Sequence, residues 1–249
     1  MSKVEFKNAK GLRIVGNYGS VGSDNIVILA HGFTNDKSSN GRFDAMVLAL
    51  NHYGYDALAI DFSGSGESDD AALIKENQRE DIKATIDYVQ SKGYTKVALL
   101  GNSFGTLACL NNYDDTISTM VLIGALTDQM DYNWYEYFTR KQMNDLETKG
   151  YFYTEEYERK HKITQQTLLD FEEIDQEKLL IGVNCPVLII HGNHTDDFEE
   201  LKLLENSRKA MQYLPLMSEL KIIDKGKHGF RSKWNEVIDL TINWLQRYF

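Results

Sequence analysis

Residues 96–105 read Lys96-Val97-Ala98-Leu99-Leu100-Gly101-Asn102-Ser103-Phe104-Gly105. A short run rich in branched apolar residues meets G-x-S-x-G, and a helical pattern, Phe104 to Asn112, starts inside the motif. A strand that turns directly into a helix at a serine forces a sharp bend. Side chains two positions before and after that serine would collide, which calls for glycine at both. The serine oxygen is then held above the sheet at the positive end of a helix.

Further apolar runs lie on either side: Asn25–Ala30, Tyr55–Phe62, Met120–Ile123, Pro186–Ile190 and Leu220–Ile223. Each is too short for a buried helix and is continuous rather than alternating, as strands covered on both faces require. Helical patterns fall between or after them, at Arg42–His52, Ala71–Lys92, Glu199–Tyr213 and Lys233–Phe249. The last has Trp234, Val237, Ile238, Ile242 and Leu245 on one stripe. Alternating strands and helices predict an α/β fold, with a mostly parallel central sheet and helices on both faces. The first 20 residues read instead as an antiparallel hairpin around Lys10-Gly11. The chain is expected to be a single domain, 1–249, interrupted at about 126–182 by a helical cap insertion. That insertion holds 10 of the chain's 28 aromatic residues in 57 of its 249 positions, above the six or so that average composition predicts. Its rings either line a pocket or simply pack the insertion onto the main domain.

The 249 residues are 42% hydrophobic and 26% charged, which excludes a disordered or fibrous chain. Lys and Arg total 27 against 37 Asp and Glu, a net charge of −10. That excess repels phosphate backbones and anionic lipid, so neither nucleic acid nor membrane is an expected partner. No signal-like or spanning run appears, and Cys109 and Cys185 are too few for a disulfide framework. The expected setting is cytoplasmic and reducing. A zinc site from His191, His194 and Asp196 fits no common spacing.

A nucleophilic serine needs a base, an orienting acid and an oxyanion site. Of the six histidines, His228 alone follows the final strand run on a loop, where an imidazole can reach Ser103. His31, ending the first long run, reads as a loop-ordering residue. The acid is sought after the strand Pro186–Ile190, where Asp196 is preferred, Asp197 comes second and Asp128 is a third candidate. Glu199-Glu200 and Glu155-Glu156 read as solvated charge pairs. The oxyanion donors are expected to be the backbone N–H groups of Phe104, after the nucleophile, and Phe33, after the strand ending at Ala30. The chain order serine, acid, histidine is that of α/β-hydrolases.

On these residues the chain resembles the α/β-hydrolase superfamily, and within it the small bacterial carboxylesterases that include cinnamoyl (feruloyl) esterases. The resemblance spans almost the whole chain and rests on His31-Gly32-Phe33, Asp61 to Ser68, Gly101 to Gly105, Val187 to Gly192, and His228-Gly229-Phe230. Two features depart from that pattern. Thr195 stands where relatives place the aspartate neighbourhood of His-Gly-x-x-Asp, so the acid is displaced by one residue. Phe104-Gly105-Thr106 replaces Met-Gly-Gly.

The resulting expectation is a serine hydrolase that cleaves carboxylic esters of small acyl or aryl groups, cinnamoyl-type included, through Ser103, His228 and Asp196. No metal or organic cofactor is required, the partner is a small-molecule ester, and a homodimer is compatible with the pattern. The rivals are an aminopeptidase-like or thioesterase-like hydrolase using the same residues, and a non-catalytic ligand-binding version of the fold.

Overall fold

The computed structural model describes residues 1–249. An eight-stranded sheet runs through it: β1 (Ser2–Lys7), β2 (Arg13–Gly19), β3 (Asn25–Ala30), β4 (Asp56–Asp61), β5 (Lys96–Asn102), β6 (Ile117–Ile123), β9 (Val187–Gly192) and β10 (Glu219–Ile223). Their spatial order is β1-β2-β4-β3-β5-β6-β9-β10. β1 and β2 form the expected antiparallel hairpin, β2 pairs antiparallel with β4, and every later neighbour is parallel.

Alternate residues of the central strands feed two cores. Ile26, Ile28, Val97 and Leu99 pack with Ile82, Ile86 and Val89 of α2 (Lys75–Ser91) and with Ala108 of α3 (Gly105–Leu110). Val27, Leu29, Ala98 and Leu100 pack on the opposite face. Their partners are Phe43, Met46 and Leu50 of α1 (Arg42–His52), and Trp234, Val237 and Trp244 of α8 (Trp234–Tyr248). This two-sided burial is why the strands read as unbroken apolar runs. No helix is long and apolar enough to cross a membrane.

Two expectations need correction. The helix predicted from Ala71 starts at Lys75. Ala72 forms a bridge to Lys162, and the Leu73 N–H donates to the Lys162 carbonyl at 3.1 Å, so residues ahead of the helix are held extended. Lys162 belongs to the second correction. The segment between β6 and β9 is not all helical. It contains α4 (Arg140–Lys149), α5 (Gln165–Glu172), α6 (Gln176–Leu180) and an antiparallel hairpin of β7 (Tyr151–Glu156) with β8 (Arg159–Thr164). The hairpin turns at Tyr157 (φ 50°) and Glu158 (φ 58°), both left-handed. Two-residue hairpin turns of that kind are usually marked by Asn-Gly or Asp-Gly, and here that mark is absent.

Candidate active site

Five chain segments leave the same end of the sheet and converge there: those after β3, β5, β6, β9 and β10. That is where ligands bind in open parallel sheets. Ser103 lies directly after β5 with φ 51°, the strained backbone expected of a serine on a strand-to-helix bend. Both motif glycines are sterically required. A Cβ on Gly101 would lie 2.8 Å from Thr106 Cα, and one on Gly105 would overlap the carbonyls of Ala30 and His31.

Ser103 Oγ lies 2.9 Å from His228 Nε2. The other ring nitrogen, Nδ1, lies 2.6 Å from Glu200 Oε2. His228 is therefore where the sequence placed it, but its carboxylate partner is neither Asp196 nor Asp197. Asp196 is solvent-exposed, and its backbone N–H donates to His194 Nδ1 at 3.2 Å. Asp197 caps α7 (Phe198–Ala210). Its Oδ1 accepts from the Glu200 N–H at 3.0 Å and its Oδ2 from the His228 N–H at 2.9 Å. It thus braces the backbone of both partners while its carboxylate stays away from the imidazole. Asp128 instead accepts from the neighbouring Gln129 N–H. Asp197 and Asp128 therefore serve backbone N–H groups, and Glu200, from the first turn of α7, meets the ring.

Glu200, expected as half of a solvated pair, is fully buried. The available signal was the helical stripe of Glu200, Leu203, Leu204, Ser207 and Ala210, all buried at intervals of three and four. Its other oxygen, Oε1, accepts from the Gly192 N–H at 2.7 Å and from His191 Nδ1 at 2.9 Å. An ionised Glu200 can only accept, so His191 donates to it from Nδ1, while Ser207 Oγ sits 2.8 Å from the far nitrogen of that ring. Burial alone would raise the Glu200 carboxyl, but hydrogen bonds and charge interactions with His191 and His228 outweigh it and bring it down to about 2. Burial likewise pulls His228 down, while the hydrogen bond and charge of Glu200 prevail and hold it above its ordinary value. Gly124, at φ 58° after β6, leaves room for the ring, since a Cβ there would lie 2.8 Å from His228 Cε1.

The two backbone groups named as oxyanion donors belong to Phe104, which directly follows Ser103, and to Phe33, which lines the cavity beside it. Neither the Phe33 nor the Phe104 N–H has an acceptor within the protein. His31, fully buried, accepts from the Phe62 N–H at 3.2 Å and holds the Gly32 carbonyl with Nδ1 at 2.8 Å. In a trans peptide the carbonyl and the following N–H point oppositely, so fixing Gly32 O directs the Phe33 N–H away from His31. A Cβ on Gly32 would come 3.2 Å from Ser103 Cβ, so a side chain here would crowd the loop against the nucleophile. The rings of Phe33 and Phe104 meet edge-on at 5.9 Å, and Phe104 stacks on Phe171 of α5 at 4.5 Å.

A cavity of about 340 Å³ opens over Ser103 and His228. Tyr132, Trp134, Tyr137, Phe138 and Phe171 of the segment between β6 and β9 line it, and Phe138 also packs on Phe152. Both readings of the aromatic excess therefore hold, for different rings. His191, a member of the conjectured zinc group, is committed to Glu200 and Ser207, and no group of three His, Cys, Asp or Glu residues is placed to hold a metal.

Comparison with known proteins agrees with this architecture. A 2-hydroxy-6-oxononadienedioate/2-hydroxy-6-oxononatrienedioate hydrolase of Klebsiella pneumoniae is 26% identical over 220 residues, covering 86% of this chain and 73% of that protein. Est1E of Butyrivibrio proteoclasticus, solved with ferulic acid bound, superposes with a TM-score of 0.77 at 18% identity over 98% of both chains. An esterase from Exiguobacterium antarcticum superposes with a TM-score of 0.74 at 19% identity, over 97% of this chain and 98% of its own. The family model described as alpha/beta hydrolase fold matches residues 25–152, just over half of the sequence, and the protein belongs to that family.

Proposed function

We propose that the protein is a serine hydrolase of carboxylic esters, with Ser103 as nucleophile, His228 as general base and acid, and Glu200 as the orienting carboxylate. The observation that carries this reading is the unbroken line from Ser103 Oγ to His228 Nε2 at 2.9 Å and from His228 Nδ1 to Glu200 at 2.6 Å, opening into a cavity. Ser103 Oγ attacks the ester carbonyl carbon while its proton passes to Nε2. The carbonyl pair moves onto oxygen, where the Phe33 and Phe104 N–H groups receive it. Collapse breaks the bond to the alcohol oxygen, which leaves with the proton from Nε2. Water then repeats the cycle on the acyl-enzyme. Glu200 remains ionised throughout and fixes the Nδ1–H tautomer. Loss of one oxyanion donor in enzymes of this kind costs roughly 3 kcal/mol.

The aromatic walls of the cavity favour small acyl or aryl esters, cinnamoyl-type among them. The dicarboxylate named for the Klebsiella relative is a poorer match, because Glu156 and Glu199 line this cavity against a single Arg42. Ser103→Ala is expected to abolish hydrolysis of a short nitrophenyl ester, and labelling by a fluorophosphonate, while the thermal transition is retained. Full activity in that variant would reject the assignment. A non-catalytic ligand-binding protein would leave the wild-type serine unlabelled.

A further inference from the structure

Within the cavity, three rings of the segment after β6 cluster tightly. Tyr132 and Trp134 have centroids 4.7 Å apart, Tyr132 and Tyr137 are 5.5 Å apart, and Trp134 and Tyr137 are 5.9 Å apart. The Tyr132 hydroxyl donates to Glu199 Oε1 at 2.7 Å; that carboxylate has no salt-bridge partner, although its charge is felt at His228. Glu199 is only partly buried and lines the same cavity as Ser103 and His228. The indole N–H of Trp134 is tied to the carboxylate of Glu172 behind it. The one cationic lining residue, Arg42, is turned to other work. Its guanidinium donates to the Ser39 carbonyl and hydroxyl at 2.9 Å each and to the Gly229 carbonyl, and lies 5.5 Å from the Trp234 ring centre.

Electron-rich ring faces together with an unpaired carboxylate attract organic cations, and the attraction is strongest where water is partly excluded. A dianion is disfavoured by the same arrangement. We infer that the ester substrate carries an ammonium group, primary or quaternary, which sits against Tyr132, Trp134 and Tyr137 with Glu199 as its counter-charge. This deepens the esterase reading and rests on it. The shared chemistry is the cation, and it can arrive on either side of the scissile bond. An amino-acyl ester carries it on the acid, and a choline-type ester carries it on the alcohol.

The test compares matched pairs that differ only in charge. Butyrylthiocholine is set against its neutral 3,3-dimethylbutyl thioester, and phenylalanine methyl ester against methyl 3-phenylpropanoate. The expected result is a kcat/KM about tenfold higher for the cation in one of the pairs, and the pair that responds identifies the side. In Glu199→Gln that ratio should collapse toward unity. Equal or better turnover of both neutral partners, or a ratio untouched by Glu199→Gln, would overturn the inference.

Fluorophosphonate labelling of Ser103 is read in parallel. Labelling without charge preference defeats this inference alone. If neither labelling nor turnover occurs, the esterase reading fails, and binding is read directly by titrating Trp fluorescence with phenyltrimethylammonium. Saturable quenching, weakened in Glu199→Gln and lost in Trp134→Phe, supports the cation site. Absence of quenching in the wild type ends it.

Discussion

At the scale of single residues, the proposed chemistry turns on which carboxylate meets His228. Glu200 is buried and receives three donors, whereas Asp196 projects into water. Glu200→Gln keeps the shape but presents an amide that can hold the wrong imidazole tautomer. Its expected cost is about 10³–10⁴ in kcat, while Asp196→Asn should stay within about twofold of wild type. Steady-state kinetics on a nitrophenyl ester separate the two. The pH profile gives a second readout. His228 must be neutral to accept the serine proton, and Glu200 holds its pKa above the ordinary 6.5. Activity therefore falls as pH drops through that raised value. With the charge of Glu200 removed, the residual activity of Glu200→Gln should show its acid limb displaced to lower pH.

At the scale of elements, the bend between β5 and α3 is the least tolerant feature. α3 packs so closely under β3 that a methyl on Gly105 would overlap two carbonyl groups. Gly105→Ala should cost about 1–3 kcal/mol, the usual penalty of overpacking, and should displace Ser103 from His228. Denaturant melts read the first effect and the rate of fluorophosphonate labelling reads the second. The contrasting control is Gly22→Ala, in an exposed loop where a Cβ meets nothing within 4 Å. The strain of its left-handed φ remains, so its stability loss should be smaller and labelling should be unchanged. The hairpin of β7 and β8 follows the same logic of contact. Phe152, His161 and Ile163 are buried while Tyr151 and Tyr153 stay exposed, a period of two that its charged neighbours obscure in the sequence.

At the scale of the whole molecule, stability should be acid-sensitive in two steps, and the sign follows from the buried groups. Burial lowers His31 and His161 below 6.5, so the unfolded chain takes up protons first and stability falls as pH drops below that value. Glu200 is depressed to about 2, so its contribution is complete above about 4.5 and is lost as pH falls from there toward 2. His228 acts oppositely, since its raised pKa adds stability below 6.5 that disappears as pH rises through the folded value. Asp81, raised by burial, sides with His228, whereas Glu67, held down to about 2 by its hydrogen bonds to Lys3 and Lys37, sides with Glu200, so Tm at pH 4 should lie below Tm at pH 7. Calorimetric melts across that range check it, and a higher Tm at pH 4 would contradict the balance.

The sequence by itself determined the sheet, the bend at Ser103 and the loop that carries His228. Each of these is written in a local pattern: a run of branched apolar residues, a pair of glycines that no side chain can replace, a histidine just past the final strand. Tertiary structure decided the rest. Glu200 became the partner of His228 because Leu203 and Ala210 dock α7 on the body of the protein and rotate that face inward. Four nearby acids, Asp196, Asp197, Glu199 and Glu200, look alike until that rotation is set. The hairpin formed although its turn residues, Tyr157 and Glu158, carry no turn signal, and α2 lost its first residues to that hairpin. Short-range sterics are legible in one dimension, whereas the choice among equivalent side chains belongs to whichever surfaces are buried against each other.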